Sequence, residues 1–144
     1  MNLTTENALH GIDELLRERI APEIGDPFAA QMARLSSLLL RICANAVEDA
    51  AALRVDENAA IRHLLADVGV LADGPQAHRL AQAAASADPG LAVSVLDAEN
   101  HRLRCLLVDA QEWLESRRDE AAVVLDQRIW RHLEKTEARR APRE

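Results

Sequence analysis

Glu57-Asn58-Ala59-Ala60-Ile61-Arg62-His63-Leu64-Leu65-Ala66-Asp67 lies toward the end of a run, Phe28 to Val68, that contains neither Gly nor Pro. Along that run Phe28, Met32, Leu35, Leu39, Ile42, Ala46 and Leu53 form an apolar stripe at three-, four- and seven-residue steps. Ile61, Leu65 and Val68 carry it through the quoted stretch. This is a helical period. A single helix of ~40 residues would be ~60 Å long, which exceeds the usual length in a compact domain. The weak point is Arg54-Val55-Asp56, where Asp56 could cap a new segment. Continuity is the preferred reading, and a kink there would leave the two segments nearly collinear.

The quoted phrase returns as Glu99-Asn100-His101-Arg102-Leu103-Arg104-Cys105-Leu106-Leu107-Val108-Asp109, with Glu, Asn, Arg, Leu, Leu and Asp in register. The second copy also sits inside a helical stripe, Val93, Leu96, Asn100, Leu103, Leu107, Ala110 and Leu114. Working outward, Leu9, Ile12, Leu16 and Ile20 predict a first helix from about Thr5 to Ile20 behind a Thr cap. Asp26-Pro27 and Asp88-Pro89 each read as a helix start, an N-cap carboxylate followed by Pro at the first helical position. Gly69, Asp73, Gly74 and Pro75 end the long element, and Gln76 to Ala87 reads as a short connector capping one end of the bundle. Ser116-Arg117-Arg118-Asp119 is a break resembling a capping box. A last amphipathic helix follows, carrying Val123, Leu125, Ile129, Trp130 and Leu133.

The expected fold is therefore all-α, a helical bundle built on an antiparallel hairpin of two long helices, the second and fourth, with shorter helices alongside. One domain should cover 1–144, with a basic tail fraying from about residue 137. Ala and Leu dominate the apolar half of the composition, the only aromatics are Phe28, Trp113 and Trp130, and Tyr is absent. Ala buries little area, so a partner subunit is expected, and a homodimer is the commonest closed solution.

The formal net charge of -7 argues against nucleic-acid or anionic-membrane binding, because the dominant electrostatic term would have the wrong sign. No stretch approaches the ~18 apolar residues of a membrane span. The N-terminus lacks a basic region and an apolar run, so a cytoplasmic, soluble protein is expected. Cys43 and Cys105, in helical patterns without CxxC spacing, read as reduced, buried thiols.

Asn58 and Asn100 both lie on their apolar stripes, with Arg62 and Arg104 one turn later and Glu57 and Glu99 adjacent. Asn58 would lie ~21 Å below the end of its helix and Asn100 ~16 Å beyond the start of its own, close enough to face each other across the bundle. Such a polar layer reads first as a register device, since buried amides penalise slipped packings. The alternatives are a solvated set of charges, or a small-molecule or anion site using Asn58, Arg62, Asn100, Arg104, Glu57 and Glu99.

Glu-x-x-His pairs for a di-iron site, Gly-rich phosphate loops and nucleophile elbows do not occur, so no catalytic residue, metal or cofactor is assigned. Glu6 and His10 share a helical face but make only a weak zinc pair. The last helix offers a docking group, Trp130, Arg131, Leu133, Arg139 and Arg140, with an aromatic anchor flanked by Arg.

The Ala21-to-Phe28 stretch, the paired Glu-Asn-x-x-φ-Arg phrases and the Ile129-Trp130…Thr136-Glu137-x-Arg139-Arg140 ending resemble uncharacterised bacterial all-helical proteins. That group is associated with genes for phosphotransferase-type kinases and acyl-CoA dehydrogenases. The resemblance covers most of the chain, implies an accessory role near small-molecule metabolism and brings no catalytic residues. The expected function is thus a non-catalytic helical interaction protein, homodimeric, binding a protein partner through its C-terminal region. The alternative is a ligand-binding protein or enzyme using the Asn and Arg layer.

Overall fold

A computed structural model of the chain describes residues 3–141. Among these it is all-α, with no strand. The helices are α1 (Thr5–Leu15), α2 (Pro27–Leu71), α3 (Gly74–Ala84), α4 (Val93–Ser116) and α5 (Glu120–Arg140). A π turn, Leu16–Ile20, and a 3-10 turn, Ala21–Glu23, follow α1. The long apolar run is one uninterrupted helix, and Asp56 pairs with Arg139 instead of capping a second segment. The chain divides into two compact units at Ala50/Ala51, within α2.

The first unit is α1, its trailing turns and the first half of α2. Thr4 caps α1 by accepting from the Asn7 amide at 3.2 Å, and Asp26 caps α2 by accepting from Ala29 at 2.8 Å. Both start signals act as the sequence suggests. Ser37 ties the two helices together, its hydroxyl donating to the Asp13 carboxylate and, at 3.3 Å, to the Asp13 carbonyl. Among the described residues, the buried ones of this unit are Asp13, Ala21, Ala30, Ser37 and Ala44. None is large and apolar. The stripe expected to face a core is therefore open here: Phe28 is 72% exposed and Leu39 56%.

The second unit holds the core. Ile61, Leu65 and Val68 of α2 pack with Leu80 and Ala83 of α3, Leu103, Leu107 and Leu114 of α4, and Leu125 and Ile129 of α5. Helix directions follow from the side-chain pairs. Asp67 meets Arg128, Asp56 meets Arg139 and Glu57 meets Arg140, so α5 runs antiparallel to α2. Gln111 meets Asp126, and Asn100 meets Arg140, so α5 is also antiparallel to α4. Likewise Arg79 meets Asp109 and Arg102 meets Ser86, making α3 antiparallel to α4. This is a four-helix, up-down-up-down arrangement. The antiparallel hairpin of long helices is α4 with α5, while α2 and α4 run parallel. The sequence paired those two because Ala-rich α3 looked like an end cap; with Leu80 and Ala83 buried, it is a full member that returns the chain to the level of Asn58 and Arg62.

Local chemistry accounts for the junctions. Gly74 opens α3 at φ +58°, a left-handed conformation that a side chain would strain, although a Cβ there would meet nothing within 4 Å. Asp119 caps α5 by accepting from Ala122 at 3.1 Å, while Ser116 turns back to the Trp113 carbonyl. Arg117 lies over the Trp113 ring at 4.9 Å. Asp88 does not cap α4, which starts only at Val93 without a side-chain cap. The last helix extends past Thr136 to Arg140, held by the pairs to Asp56 and Glu57; residues 142–144 of the expected frayed tail lie outside the described residues. Both cysteines are free but exposed, correcting the buried reading: Cys43 flanks the open stripe of α2, and Cys105 stands beside His101, one turn earlier on α4, at 3.8 Å.

Corresponding positions of the two phrases are buried together: Ile61 with Leu103, Leu64 with Leu106, Leu65 with Leu107, Val68 with Ala110 and Ala72 with Leu114. The repeat thus extends beyond the identical residues to a shared packing pattern. Leu107→Ala should lower unfolding stability by about 2–5 kcal/mol, whereas Val70→Ala at an exposed site should stay within about 0.5 kcal/mol. Urea denaturation followed by circular dichroism measures both, and equal effects would count against this core.

Candidate functional site

The two phrases meet at one level of the second unit. Because α2 and α4 run parallel and each Arg stands five residues beyond its Glu, each copy's Glu can reach the other copy's Arg. Arg104 Nε donates to Glu57 Oε1 at 2.7 Å, and Arg62 Nη2 donates to Glu99 Oε1 at 2.9 Å. Between these crossed pairs, Asn100 Nδ2 donates to Asn58 Oδ1 at 2.9 Å. The phrases contact each other reciprocally, as the two halves of a two-fold interface do. Asn58, Glu57 and Asn100 are almost wholly buried, and Glu99 and Arg62 are nearly so.

The network extends past the phrases. Asp88, before α4, accepts from Asn58 Nδ2 at 2.9 Å and from Arg62 Nη2 at 2.8 Å. That explains the late start of α4: the carboxylate that would cap it is drawn into the layer. Arg102 holds both oxygens of Glu99, at 2.7 and 2.8 Å, and Ser86 accepts from Arg62 and Arg102. Arg140, from the end of α5, donates to Glu57 and to Asn100 Oδ1. Four guanidiniums (Arg62, Arg102, Arg104, Arg140) thus face Glu57, Glu99 and Asp88, with Glu137 3.9 Å from Arg104.

Burial alone would raise the Glu57 pKa, but hydrogen bonds from Arg104 and Asn100 and the charges of Arg104 and Arg140 hold it below the ordinary 4.5. Hydrogen bonding from Arg102 does the same for Glu99, outweighing burial, and Arg62 adds to it. His132, on α5, is pushed below 6.5 by burial against the opposing charge of Glu57, and the charges of Arg104 and Lys135 lower it further. Its Nε2 is buried without a hydrogen-bond partner.

All six residues assigned to the layer from sequence are brought together: Glu57, Asn58, Arg62, Glu99, Asn100 and Arg104. Asp88, Ser86 and Arg102 were missed as members. Asp88 carries a strong local cap signal that hides its long-range role, and nothing marks Ser86. Arg102, three residues after Glu99 on a helix, was readable as its ion-pair partner. Of the docking group, Trp130 is 54% exposed and Arg131 is exposed. Leu133 packs on the core, while Arg139 and Arg140 are engaged with Asp56 and Glu57. Glu6 and His10 lie 3.9 Å apart, and among the described residues no three His, Cys, Asp or Glu side chains converge on a metal-sized site.

Beside the layer, Leu53, Asp56, His132, Lys135 and Thr136 line a pocket of about 70 Å³. Ligand pockets usually run to ~300 Å³ or more, and a water takes ~30 Å³, so this one suits a water or two. In comparisons with family models, curated proteins and solved structures, nothing matches this chain.

Glu57→Gln leaves Arg104 and Arg140 without their carboxylate and should cost about 3–5 kcal/mol. Arg79→Ala, which removes an exposed pair with Asp109, should cost under about 1 kcal/mol. Chemical denaturation of the two variants side by side separates a buried keystone from a surface pair.

Stability should also fall in two stages on acidification. At His132 the folded chain binds fewer protons than the unfolded chain, so stability declines as pH drops below 6.5 through the lowered value. Glu57 and Glu99, with folded values below 4.5, contribute stability that is present above 4.5 and lost as pH falls through those values. His132→Gln should remove the first stage only. A wild-type thermal midpoint flat from neutrality down to 4.5 would contradict the role given to His132.

Proposed function

We propose that this is a non-catalytic helical interaction protein: its four-helix unit is a self-sufficient folded body, and its first unit supplies a surface for protein contact. The observation that carries this reading is the open stripe Phe28, Met32, Leu35 and Leu39 on α2, set in a unit whose described residues include no large buried apolar side chain. Contiguous exposed apolar surface at helical spacing is how helices engage partners. The resemblance to bacterial all-helical proteins gives this surface an accessory role near small-molecule metabolism.

The alternative, ligand chemistry in the polar layer, has less support. The guanidiniums that would greet an anion are already held by Glu57, Asp88 and Glu99; of the hollows beside the layer, the one at His132 is too small for a metabolite, and those of about 410 Å³ at Arg104 and about 620 Å³ at Arg102 are open to solvent. The C-terminal docking group is weakened in the same way, because Arg139 and Arg140 serve the fold.

A photo-crosslinking amino acid at position 39, compared with position 70 and position 130 in cells that express the protein, tests the reading. Adducts are expected at 39 and not at 70. Equal labelling at 39 and 70, or labelling confined to 130, would overturn it.

A further inference from the structure

We infer that the apolar stripe of the first unit pairs antiparallel with the same stripe of a second copy of this chain. This rests on the reading of that stripe as a contact surface and goes further by naming its occupant.

The periodicity is the first argument. Phe28, Met32, Leu35, Leu39, Ile42 and Ala46 alternate four- and three-residue steps without a break, the a/d pattern of a coiled-coil seam. Four of the six are large side chains left open, Met32 and Leu35 at 42% and 46% exposure beside Phe28 and Leu39. The helix's own neighbour does not use this face. Ala30, Ser37 and Ala44, the buried positions through which Ser37 reaches Asp13 of α1, each stand two residues beyond a seam residue. Two residues is roughly 200° around a helix, so α1 packs on the opposite side.

The flanks are the second argument. The positions beside the seam are Ala29, Ser36 and Cys43 on one edge and Gln31, Leu38 and Asn45 on the other, all uncharged. Flanking charges normally choose a coiled coil's partner and repel wrong ones. Here nothing repels a second copy, and nothing selects a charged partner.

Side-chain volume gives the direction. With two copies antiparallel about Ser37, the bulkiest residue, Phe28, falls opposite the smallest, Ala46 of the second copy. Met32 then meets Ile42, and Leu35 meets Leu39. Large-against-small facing fills such a seam evenly, whereas parallel pairing would set Phe28 on Phe28 and Ala46 on Ala46.

Sedimentation equilibrium of the full chain tests this. At micromolar concentration the mass should be twice the 15.9 kDa of one chain. Leu35→Glu should return it to one chain without changing the urea midpoint of the second unit's core. For direction, Leu35→Cys and Leu39→Cys are made separately with Cys43→Ser and Cys105→Ser. Oxidation should yield a covalent dimer from the mixture and little from either alone. A dimer from each variant alone would overturn the antiparallel direction. A monomeric wild type that still gives position-39 adducts with other proteins would overturn self-pairing while sparing the contact surface. A dimer indifferent to Leu35→Glu, with no adduct at 39, would sink both.

Discussion

The second unit depends on a reciprocal exchange: Glu57 takes Arg104, Glu99 takes Arg62, and Asn58 meets Asn100 between them. Burying these groups is costly, and a pair of hydrophobic residues of the same volume would serve stability as well or better. Their physical value lies in discrimination. Sliding α4 by one turn against α2 would break both crossed ion pairs and the bond between Asn58 and Asn100, at a cost of about 1–3 kcal/mol for each buried group left unpaired. The apolar residues above the layer, mostly Leu and Ala, would tolerate such a slip far better, because their shapes are interchangeable.

The same exchange explains why chain segments far from the phrases are ordered as they are. Asp88 is drawn from its capping position to Asn58 and Arg62, which delays α4 until Val93. Arg140 is drawn inward by Glu57 and Asn100, and α5 keeps its helix to the end of its basic stretch. Local signals set most boundaries, but where a local signal and the buried layer compete for one side chain, the layer wins. A buried charge without a partner costs more than a missing cap.

Much of this was legible. Thr4 and Asp26 mark starts that the chain uses, the gap-free run from Phe28 is one helix, and the six layer residues were found from their repeat alone; the break at residues 116–119 was legible too, but its cap is Asp119 and not Ser116. Direction was not legible. Periodicity tells which face of a helix is apolar and nothing of which helix it meets, so Ala-rich α3 passed for a connector and α2 and α4 were set antiparallel. Nor could the sequence tell that one stripe has two environments: Ile61, Leu65 and Val68 are buried, while Phe28, Met32, Leu35 and Leu39 are open. Leu has the same letter in a core and on a surface awaiting a partner.

The parallel placement of the repeated phrases also says what kind of object the second unit is. Helices α2 and α3 form one two-helix hairpin and α4 and α5 another, and each carries half of every crossed pair. Glu57 finds its guanidiniums, Arg104 and Arg140, only on the other hairpin, while Glu99 also has Arg102 on its own helix. In geometric terms the crossed pairs join two unequal hairpins, with α3 of 11 residues against α5 of 21, as an interface joins two subunits, and the segment before α4 is their covalent link.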